Sequence, residues 1–265
     1  MNHGQLSDDG IVRAGLRVLG VRIHALSWQD VIGTIAGWAA RRESRYVCIC
    51  NVHSVVTASR DPAYGTAVER ADLATPDGAP IAWMLRRLGI PGQVRINGPD
   101  LMSTYCEQAA ARGEPVFFYG GTDATLARLA HVLRERHPGI RIAGSISPPF
   151  RALTPQEDAD IVKTINDSGA PVLWVGLGCP KQEFWMAAHR GQVNAVMIGV
   201  GAAFDYLAGT VPRAPQWMQD AGLEWAHRLA SEPQRLWKRY LVTNTLFLLG
   251  AARQLGLRSL TRRRS

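Results

Sequence analysis

Short apolar runs alternate with helix-forming segments along most of this chain, and that alternation restricts the fold more than any other feature. The runs are continuously apolar, which is typical of strands buried on both faces of a sheet. Seven runs are predicted to be strands: Val18–Ile23, Tyr46–Cys50, Leu73–Thr75, Val116–Tyr119, Arg141–Ala143, Val172–Val175 and Ala195–Ile198. The sequence therefore predicts an α/β fold with a doubly wound, mainly parallel sheet.

Helix-start signals lie between these runs. Ser27, Asp100, Thr122 and Thr154 are predicted to cap helices over residues 28–41, 101–112, 123–136 and 156–167. Further helices are predicted over residues 62–70, 80–88 and 180–189. In a sheet of this kind, ligands bind beyond the carboxyl ends of the strands. The residues that follow each strand are therefore the first candidates for a site.

The last quarter of the chain carries almost all of the net charge. Residues 210–265, the C-terminal segment, hold ten Lys or Arg against three acids, which accounts for +7 of the formal +8. The same segment contains several tryptophans and the apolar run Leu246–Leu249. Basic residues interleaved with aromatic and leucine side chains favour contact with an anionic membrane surface.

Composition and the positions of proline and glycine divide the chain into three parts. The polar residues 1–16 are predicted to be a flexible tail, residues 17–209 an α/β catalytic domain, and the C-terminal segment a membrane-docking addition. The α/β rhythm stops near Gly209–Pro215, and Glu232-Pro233 is predicted to split the later helical pattern in two. No run of about 20 apolar residues occurs, so no membrane-spanning helix is expected.

Three strand-to-helix turns contain glycine. They are Gly120-Gly121, Gly176-Leu177-Gly178 and Gly199-Val200-Gly201. Glycine lets the backbone approach an anion closely, and the following helix N-terminus attracts negative charge. Three such turns at one sheet edge favour a nucleotide ligand.

Two common ligand motifs do not fit this sequence. The glycine turns do not complete G-x-G-x-x-G, because Lys181 and Phe204 occupy the third glycine position. Asp158-Ala159-Asp160 has the form of a metal-binding D-x-D, but it lies in the first turns of a helix, where acids complement the helix dipole. No metal site and no cofactor are therefore expected.

Asp77 is the best candidate for acid–base chemistry. It follows a strand, precedes Gly78 and lies in a turn bounded by Pro76 and Pro80. A turn aspartate that bonds its own backbone is the alternative interpretation. His53 is a second candidate titrating group, although a histidine near a strand end is more often a packed or capping residue.

Several motifs, in order and spacing, resemble the WecG/TagA/CpsF family of bacterial glycosyltransferases, glycosyltransferase family 26. They cover roughly residues 18–249. The motifs are Thr75-Pro76-Asp77-Gly78, Asn97-Gly98-Pro99-Asp100-Leu101, Phe117-Phe118-Tyr119-Gly120-Gly121, Gly176-Leu177-Gly178-Cys179-Pro180-Lys181-Gln182-Glu183, Gly199-Val200-Gly201-Ala202-Ala203-Phe204-Asp205, Pro212-Arg213-Ala214-Pro215 and Gly222-Leu223-Glu224-Trp225.

The resemblance implies a Rossmann-like domain and an inverting, metal-independent transferase. Such an enzyme moves a sugar from a UDP-sugar donor to a saccharide on a polyprenyl diphosphate, at the cytoplasmic face of the bacterial inner membrane. The products feed cell-wall and exopolysaccharide pathways. UDP-glucose, UDP-N-acetylmannosamine and its uronic acid all remain candidate donors, and a peripheral monomer or a homo-oligomer is equally compatible with the family.

The resemblance also implies roles for particular residues. Asp77 matches the general base, and Asn51 and Arg95 match polar residues of the acceptor and donor pocket. Residues on the nucleotide-sugar side are Gly120, Gly121, Gln182, Asp205, Arg228, Arg235 and Lys238. Ile49 departs from the family pattern, in which many relatives carry threonine.

Physical reasoning on the C-terminal segment agrees with this assignment. Arg228, Arg235 and Arg239 are spaced by seven and four residues, so they are predicted to share one helical side, with Trp225 and Tyr240 on the other. Without a metal, arginines and helix N-termini must balance the charge of the departing diphosphate, and the sequence offers both.

Two other function classes stay open at this stage. The doubly wound pattern with G-x-G turns also fits an NAD-dependent oxidoreductase, and the basic segment fits a non-catalytic membrane adaptor. Deletion of the segment after Thr210 distinguishes these hypotheses: an adaptor would lose its only activity, whereas a transferase would lose membrane binding together with active-site arginines. Nucleic acid is disfavoured as a partner, because no recognised nucleic-acid module accompanies the basic residues.

Overall fold

The computed structural model describes residues 15–262 of the chain. Six parallel strands form its central sheet, in the order β4-β3-β8-β7-β5-β6. The strands of this sheet are β3 (Arg45–Cys50), β4 (Leu73–Pro76), β5 (Pro115–Gly120), β6 (Arg141–Ile146), β7 (Val172–Gly176) and β8 (Val196–Gly199). The predicted doubly wound α/β fold is confirmed.

Helices cover both faces of the sheet. Those of the α/β part are α1 (Trp28–Ala40), α2 (Val52–Arg60), α3 (Pro62–Glu69), α4 (Ala79–Arg87), α5 (Gly98–Arg112), α6 (Asp123–Arg136), α7 (Pro155–Asp167), α8 (Lys181–His189) and α9 (Ala203–Ala208). The C-terminal segment contributes α10 (Gln216–Asp220), α11 (Glu224–Ser231) and α12 (Pro233–Arg262). The predicted break at Glu232-Pro233 is confirmed.

Alternate residues of the inner strands pack into two hydrophobic cores, whereas the edge strand β6 has no buried residue. On β3, Val47 and Ile49 face the core that also contains α1, α5, α6 and α9. Tyr46, Cys48 and Cys50 face the opposite core, which contains α2, α3, α4, α7, α8 and part of α12. Burial on both sides explains why the strands are continuously apolar in sequence.

A β-hairpin replaces the single strand predicted over 18–23. β1 (Gly15–Val18) and β2 (Val21–His24) pair antiparallel around a two-residue turn. Leu19 and Gly20 both have positive φ, at 51° and 86°, as a type I′ turn requires. Leucine is not the residue that normally signals such a turn. Contacts with α12 hold it instead, because the Leu19 amide donates to Oε1 of Gln254 at 2.9 Å.

Three of the four predicted helix caps are confirmed. The side chains of Ser27, Thr122 and Thr154 each accept a backbone N–H at the start of α1, α6 and α7. The fourth cap, Asp100, is wrong: α5 begins earlier, and Oδ1 of Asn97 accepts from the Asp100 amide at 2.9 Å. Pro99 fits the first turn of the helix, which moves its start upstream.

The C-terminal segment lies against the α/β part through α12, which packs on α2. Leu236, Phe247 and Ala251 of α12 are buried, whereas Leu241 and Leu249 are largely exposed. Among the helices described, none has the length and apolar character needed to cross a bilayer. The three-part division of the chain stays a prediction, and its tail lies outside the described residues except for Gly15 and Leu16, which begin β1.

Candidate active site

A cavity of about 530 Å³ opens beyond the carboxyl ends of β3 and β4. The α/β part supplies one wall, including Asn51, His53, Asp77, Trp83, Arg95 and Tyr206. The C-terminal segment supplies the facing wall, including Arg213, Glu224, Trp225, Arg228, Arg239 and Tyr240. Four residues predicted for the site therefore come together here: Asn51, Asp77, Arg95 and Arg228.

Asp77 lies at the end of β4, where the chain turns into α4. Its backbone amide donates to the Cys50 carbonyl at 3.0 Å, which extends the parallel pairing by one residue. Gly78 then adopts φ +83°, a conformation that favours glycine. The turn leaves the half-buried Asp77 carboxylate on the cavity wall.

The surroundings raise the pKa of Asp77 to about 6. Burial is the main cause, and the Glu224 carboxylate adds to it. Arg95, Arg228 and a hydrogen bond from Asn51 act in the opposite direction. A carboxylate with this pKa is ionised at neutral pH and is a stronger base than an exposed aspartate, as general-base catalysis requires.

Asn51 connects the start of α2 to Asp77. Its Oδ1 caps the helix by accepting from the Ser54 amide at 3.1 Å and from the Ser54 hydroxyl at 3.3 Å. That orientation leaves the amide NH₂ to donate to the Asp77 carboxylate. The side chain therefore orients the carboxylate while it stabilises the helix.

Two arginines of the C-terminal segment present guanidinium groups to the cavity. Arg228 lies over the Tyr206 ring at 5.9 Å and 3.7 Å from the Glu232 carboxylate, and Arg239 lies 5.6 Å from the centre of the Tyr240 ring. The Nε atoms of both arginines are buried and make no hydrogen bond with the described part of the chain. Buried donors of this kind normally have a partner. The Nε of Arg228 has the Glu232 carboxylate at 3.7 Å, beyond hydrogen-bond distance, so both arginines keep hydrogen-bonding capacity for an anion in the cavity.

Ion pairs join the two walls of the cavity. Arg95 pairs with Glu224, which begins α11. Arg213 makes a bidentate ion pair with Asp100 of α5, in which Nη2 donates to Oδ2 at 2.9 Å. Its Nε lies 3.6 Å from Oε1 of Glu224. These contacts hold α11 over Asp77.

His53 also lines the cavity, on α2. Burial, assisted by the Arg239 charge, lowers the pKa of His53 to about 4. The ring is therefore neutral at physiological pH, and His53 does not compete with Asp77 as a group that titrates near neutrality.

The glycine turns lie farther along the same sheet edge, outside the cavity lining. Gly120 and Gly176 pack backbone against backbone, since a Cβ on Gly120 would lie 2.5 Å from the Gly176 carbonyl carbon. Oε1 of Gln182 accepts from the amides of Gly178 at 3.2 Å and Gly201 at 3.0 Å. Gln182 is buried and so fixes two turns relative to each other.

Gly121 and Asp205 complete this group. Gly121 has φ +70°, and a Cβ there would lie 3.5 Å from the Phe204 ring. Oδ1 of Asp205 accepts from the Thr125 hydroxyl at 3.4 Å. The crevice between β5 and β7 lies where successive connections run in opposite directions, which is the usual ligand position in doubly wound sheets. The nucleotide-sugar role of these residues stays a prediction.

Lys238 and Arg235 do not join the described lining of the cavity. Lys238 is exposed, with its Nζ 5.5 Å from the Trp237 ring, and the side chain of Arg235 lies outside the described part of the chain. Arg239, the next residue after Lys238, lines the cavity instead.

The prediction that Trp225 and Tyr240 lie opposite the arginines is wrong. Both rings line the same cavity as Arg228 and Arg239, and they contact each other edge to face at 6.3 Å. The reason is that α11 and α12 are separate helices, so residue spacing across the break does not define a single face.

Asp158, the first acid of the D-x-D pattern, is engaged elsewhere. Its carboxylate accepts from Nε1 of Trp185 at 3.1 Å and lies 2.8 Å from Nε2 of His189. These contacts join α7 to α8, far along the chain from Asp77. Sequence reasoning gave no role to Arg213, Trp83 or Tyr206, although Arg213 stands in one of the family-like motifs.

The pH dependence of activity tests the environment of Asp77. A general base must be ionised, so with Asp77 in that role kcat/KM is expected to fall as the pH drops through about 6, well above the ordinary aspartate value of 3.8. Glu224→Gln removes a charge that raises the Asp77 pKa, so the acid limb should move to lower pH. Glu157→Gln, on the exposed Arg151 pair, is the control. An acid limb that stays in place or moves up in Glu224→Gln contradicts this account.

The packing of Gly120 predicts a large loss of stability on substitution. Gly120→Ala places a Cβ against the Gly176 backbone and forces a side chain into φ +120°, so we expect about 3 kcal/mol of destabilisation. Gly33→Ala is the matched control, because Gly33 lies in α1 with open space around it, and it should gain up to about 1 kcal/mol. Urea unfolding measures both, and equal stabilities would contradict the prediction.

Comparison with known proteins agrees with the geometry. Residues 16–261 match the model of the glycosyl transferase WecG/TagA/CpsF family. Over 202 residues, the chain is 30% identical to an N-acetylglucosaminyldiphosphoundecaprenol N-acetyl-beta-D-mannosaminyltransferase of Bacillus spizizenii, and the match covers 76% of each chain. This protein belongs to the WecG/TagA/CpsF family of glycosyltransferases.

Proposed function

We propose that this glycosyltransferase moves a sugar from a UDP-sugar to a saccharide carried on a polyprenyl diphosphate. The observation that carries the proposal is the cavity in which Asp77 faces Arg228 and Arg239. The Bacillus spizizenii relative supports the acceptor class, because its name specifies N-acetylglucosaminyl diphosphoundecaprenol. Products of this type enter cell-wall or exopolysaccharide biosynthesis.

Asp77 is the proposed general base. Its carboxylate takes the proton of the acceptor hydroxyl as that oxygen bonds to the anomeric carbon of the donor sugar, while the bond from that carbon to the UDP oxygen breaks. Because this is a single displacement with no covalent sugar–enzyme intermediate, the anomeric configuration inverts. The Asn51 amide and Arg95 keep the base oriented and ionised.

Positive charge is needed where the UDP diphosphate departs. Arg228 and Arg239 supply it from the facing wall, and their buried Nε atoms have hydrogen-bonding capacity for phosphate oxygens. We propose that these guanidinium groups take the place a metal ion has in other transferases. Gly120, Gly121, Gln182 and Asp205 would then border the nucleotide end of the donor.

A donor screen tests the proposal. The full-length protein is incubated with an N-acetylglucosaminyl diphosphate on a short polyprenyl chain and with UDP-glucose, UDP-N-acetylmannosamine or its uronic acid, and products are read by mass spectrometry. We expect one donor to yield an acceptor extended by one sugar, in the presence of a chelator. Proton NMR of the product gives the anomeric configuration. No extension with any donor, together with tight NAD binding by calorimetry, would point to an oxidoreductase instead.

We also propose a peripheral position at the cytoplasmic face of the inner membrane. The outer side of α12 exposes Leu241, Val242, Leu248 and Leu249 within the basic C-terminal segment. Binding to anionic vesicles should weaken as the salt concentration rises from about 0.05 to 0.5 M, because salt screens the attraction between the basic side chains and the anionic headgroups. Vesicle sedimentation at several salt concentrations measures this, and salt-independent binding would indicate purely apolar docking.

A further inference from the structure

A second groove, of about 570 Å³, lies beside α12 and away from the active-site cavity. Its walls are the hairpin turn at Leu19, the second half of α2 from Val56 to Arg60, and the later part of α12 from Leu246 onward. A volume between about 300 and 1,000 Å³ is typical of sites for small molecules. Nothing in the proposed transfer reaction uses this groove.

The groove and the cavity lie mainly along different lengths of α12, since the cavity is lined by side chains between Arg239 and Leu248 and the groove by side chains between Leu246 and Leu257. Leu248 lines the cavity and Leu246 lines the groove. The two sites share no lining residue, so the groove has room for an occupant separate from the groups that bind beside Asp77.

Charge and apolar surface identify the chemistry of that occupant. Arg60 of α2 and Arg253 of α12 line the groove from opposite walls and are both exposed. Neither guanidinium pairs with a carboxylate in the described part of the chain. Val242 and Leu249, 55% and 64% exposed, lie on the neighbouring strip of α12. An apolar groove with two cations at its opening fits an amphiphile with an anionic head.

We infer that this groove binds one anionic phospholipid, with an acyl chain along Leu19, Val56 and Leu246 and the phosphate between Arg60 and Arg253. The inference uses the membrane position given under the proposed function but not the transfer chemistry. A lipid bound there would fix the orientation of α12, which also carries Arg239 into the active site. The bilayer would thus be recognised through a single lipid as well as through its surface charge.

Binding of a monomeric lipid tests the inference. Calorimetry is run with the full-length protein and a short-chain phosphatidylglycerol below its micelle concentration, and with phosphatidylcholine of the same chain length. We expect at least tenfold tighter binding of the anionic lipid. Arg60→Glu/Arg253→Glu should abolish that preference. Ser59→Trp keeps both charges but fills the groove from α2. It should lower the affinity for both lipids at least tenfold.

The matched control is Arg134→Glu/Arg136→Glu, which removes two exposed arginines from α6, on the opposite face of the sheet. It should bind phosphatidylglycerol like the natural protein. Equal affinity for the two lipids, or unchanged binding in Ser59→Trp, overturns the inference. So does displacement of phosphatidylglycerol by a short-chain polyprenyl diphosphate, because that would assign the groove to the acceptor. Transfer to a water-soluble acceptor reports on the proposed function independently of all these outcomes.

Discussion

Replacing Asp77 with asparagine should lower kcat by about 10²–10⁴-fold, the usual contribution of a general base. Asparagine has nearly the same shape, so the turn between β4 and α4 and its backbone bond to Cys50 can persist. The variant loses only the ability to take a proton from the acceptor hydroxyl. Steady-state kinetics with the short-chain acceptor measures kcat, and calorimetry should show UDP binding close to that of the natural protein.

Asp220→Asn serves as the control for this experiment. Asp220 is an exposed residue at the end of α10, so its substitution removes a carboxylate without touching the cavity. Its kcat should be unchanged. If Asp77→Asn retained most of the transfer rate with an intact fold, Asp77 would not be the base. The cavity would then need another proton acceptor, and His53, neutral at pH 7, would be the first to test.

Removing Arg239 should lower kcat by about 10²–10³-fold, the range measured when one donor to a developing anion is lost. Arg239 faces the cavity with a buried Nε that has no hydrogen-bond partner among the described residues. Its charge is therefore available to the departing diphosphate. Single-turnover kinetics at saturating donor separates this effect from weaker UDP binding.

Lys238→Ala gives the sharpest comparison, because it removes a neighbouring positive charge whose side chain does not line the cavity. If the positive charge only attracts the membrane or UDP in general, kcat should fall equally in Arg239→Ala and Lys238→Ala. A specific contact with the diphosphate makes Arg239→Ala far more damaging than Lys238→Ala. The soluble acceptor should be used, so that membrane docking does not enter. Equal losses in the two variants would contradict the cavity geometry.

The sheet was predictable from sequence because a strand that is buried on both faces consists of consecutive apolar residues. The inner strands of the large sheet, such as β5, β7 and β8, are continuous apolar runs, whereas the edge strand β6 is not. Ser27, Thr122 and Thr154 are local cap signals whose hydrogen bonds form within three residues. The hairpin at Leu19 has no comparable local sequence signal, because leucine is not a residue that normally indicates such a turn. Its left-handed turn is held by Gln254 and packs against Gly250, both more than 200 residues away.

The active site was only partly predictable for a similar reason. Asp77 follows a strand and precedes a glycine, so its place at the ligand edge could be inferred from neighbouring residues. The choice between Lys238 and Arg239 depends on how α12 is rotated against α2. That rotation is set by the burial of Leu236 and Phe247 in contacts with other elements. Periodicity across Glu232-Pro233 carried no information about it.

The hairpin contact has a consequence for how the chain is made. The hairpin is synthesised 235 residues before Gln254, the residue that accepts from the Leu19 amide and donates to the Arg17 carbonyl at 2.7 Å. A growing chain folds from its N-terminal part onward. The hairpin must therefore wait, with its strained leucine unsupported, until α12 has left the ribosome. The same late event brings Arg239 to the cavity that Asp77 lines, so nascent chains lack one wall of the candidate active site.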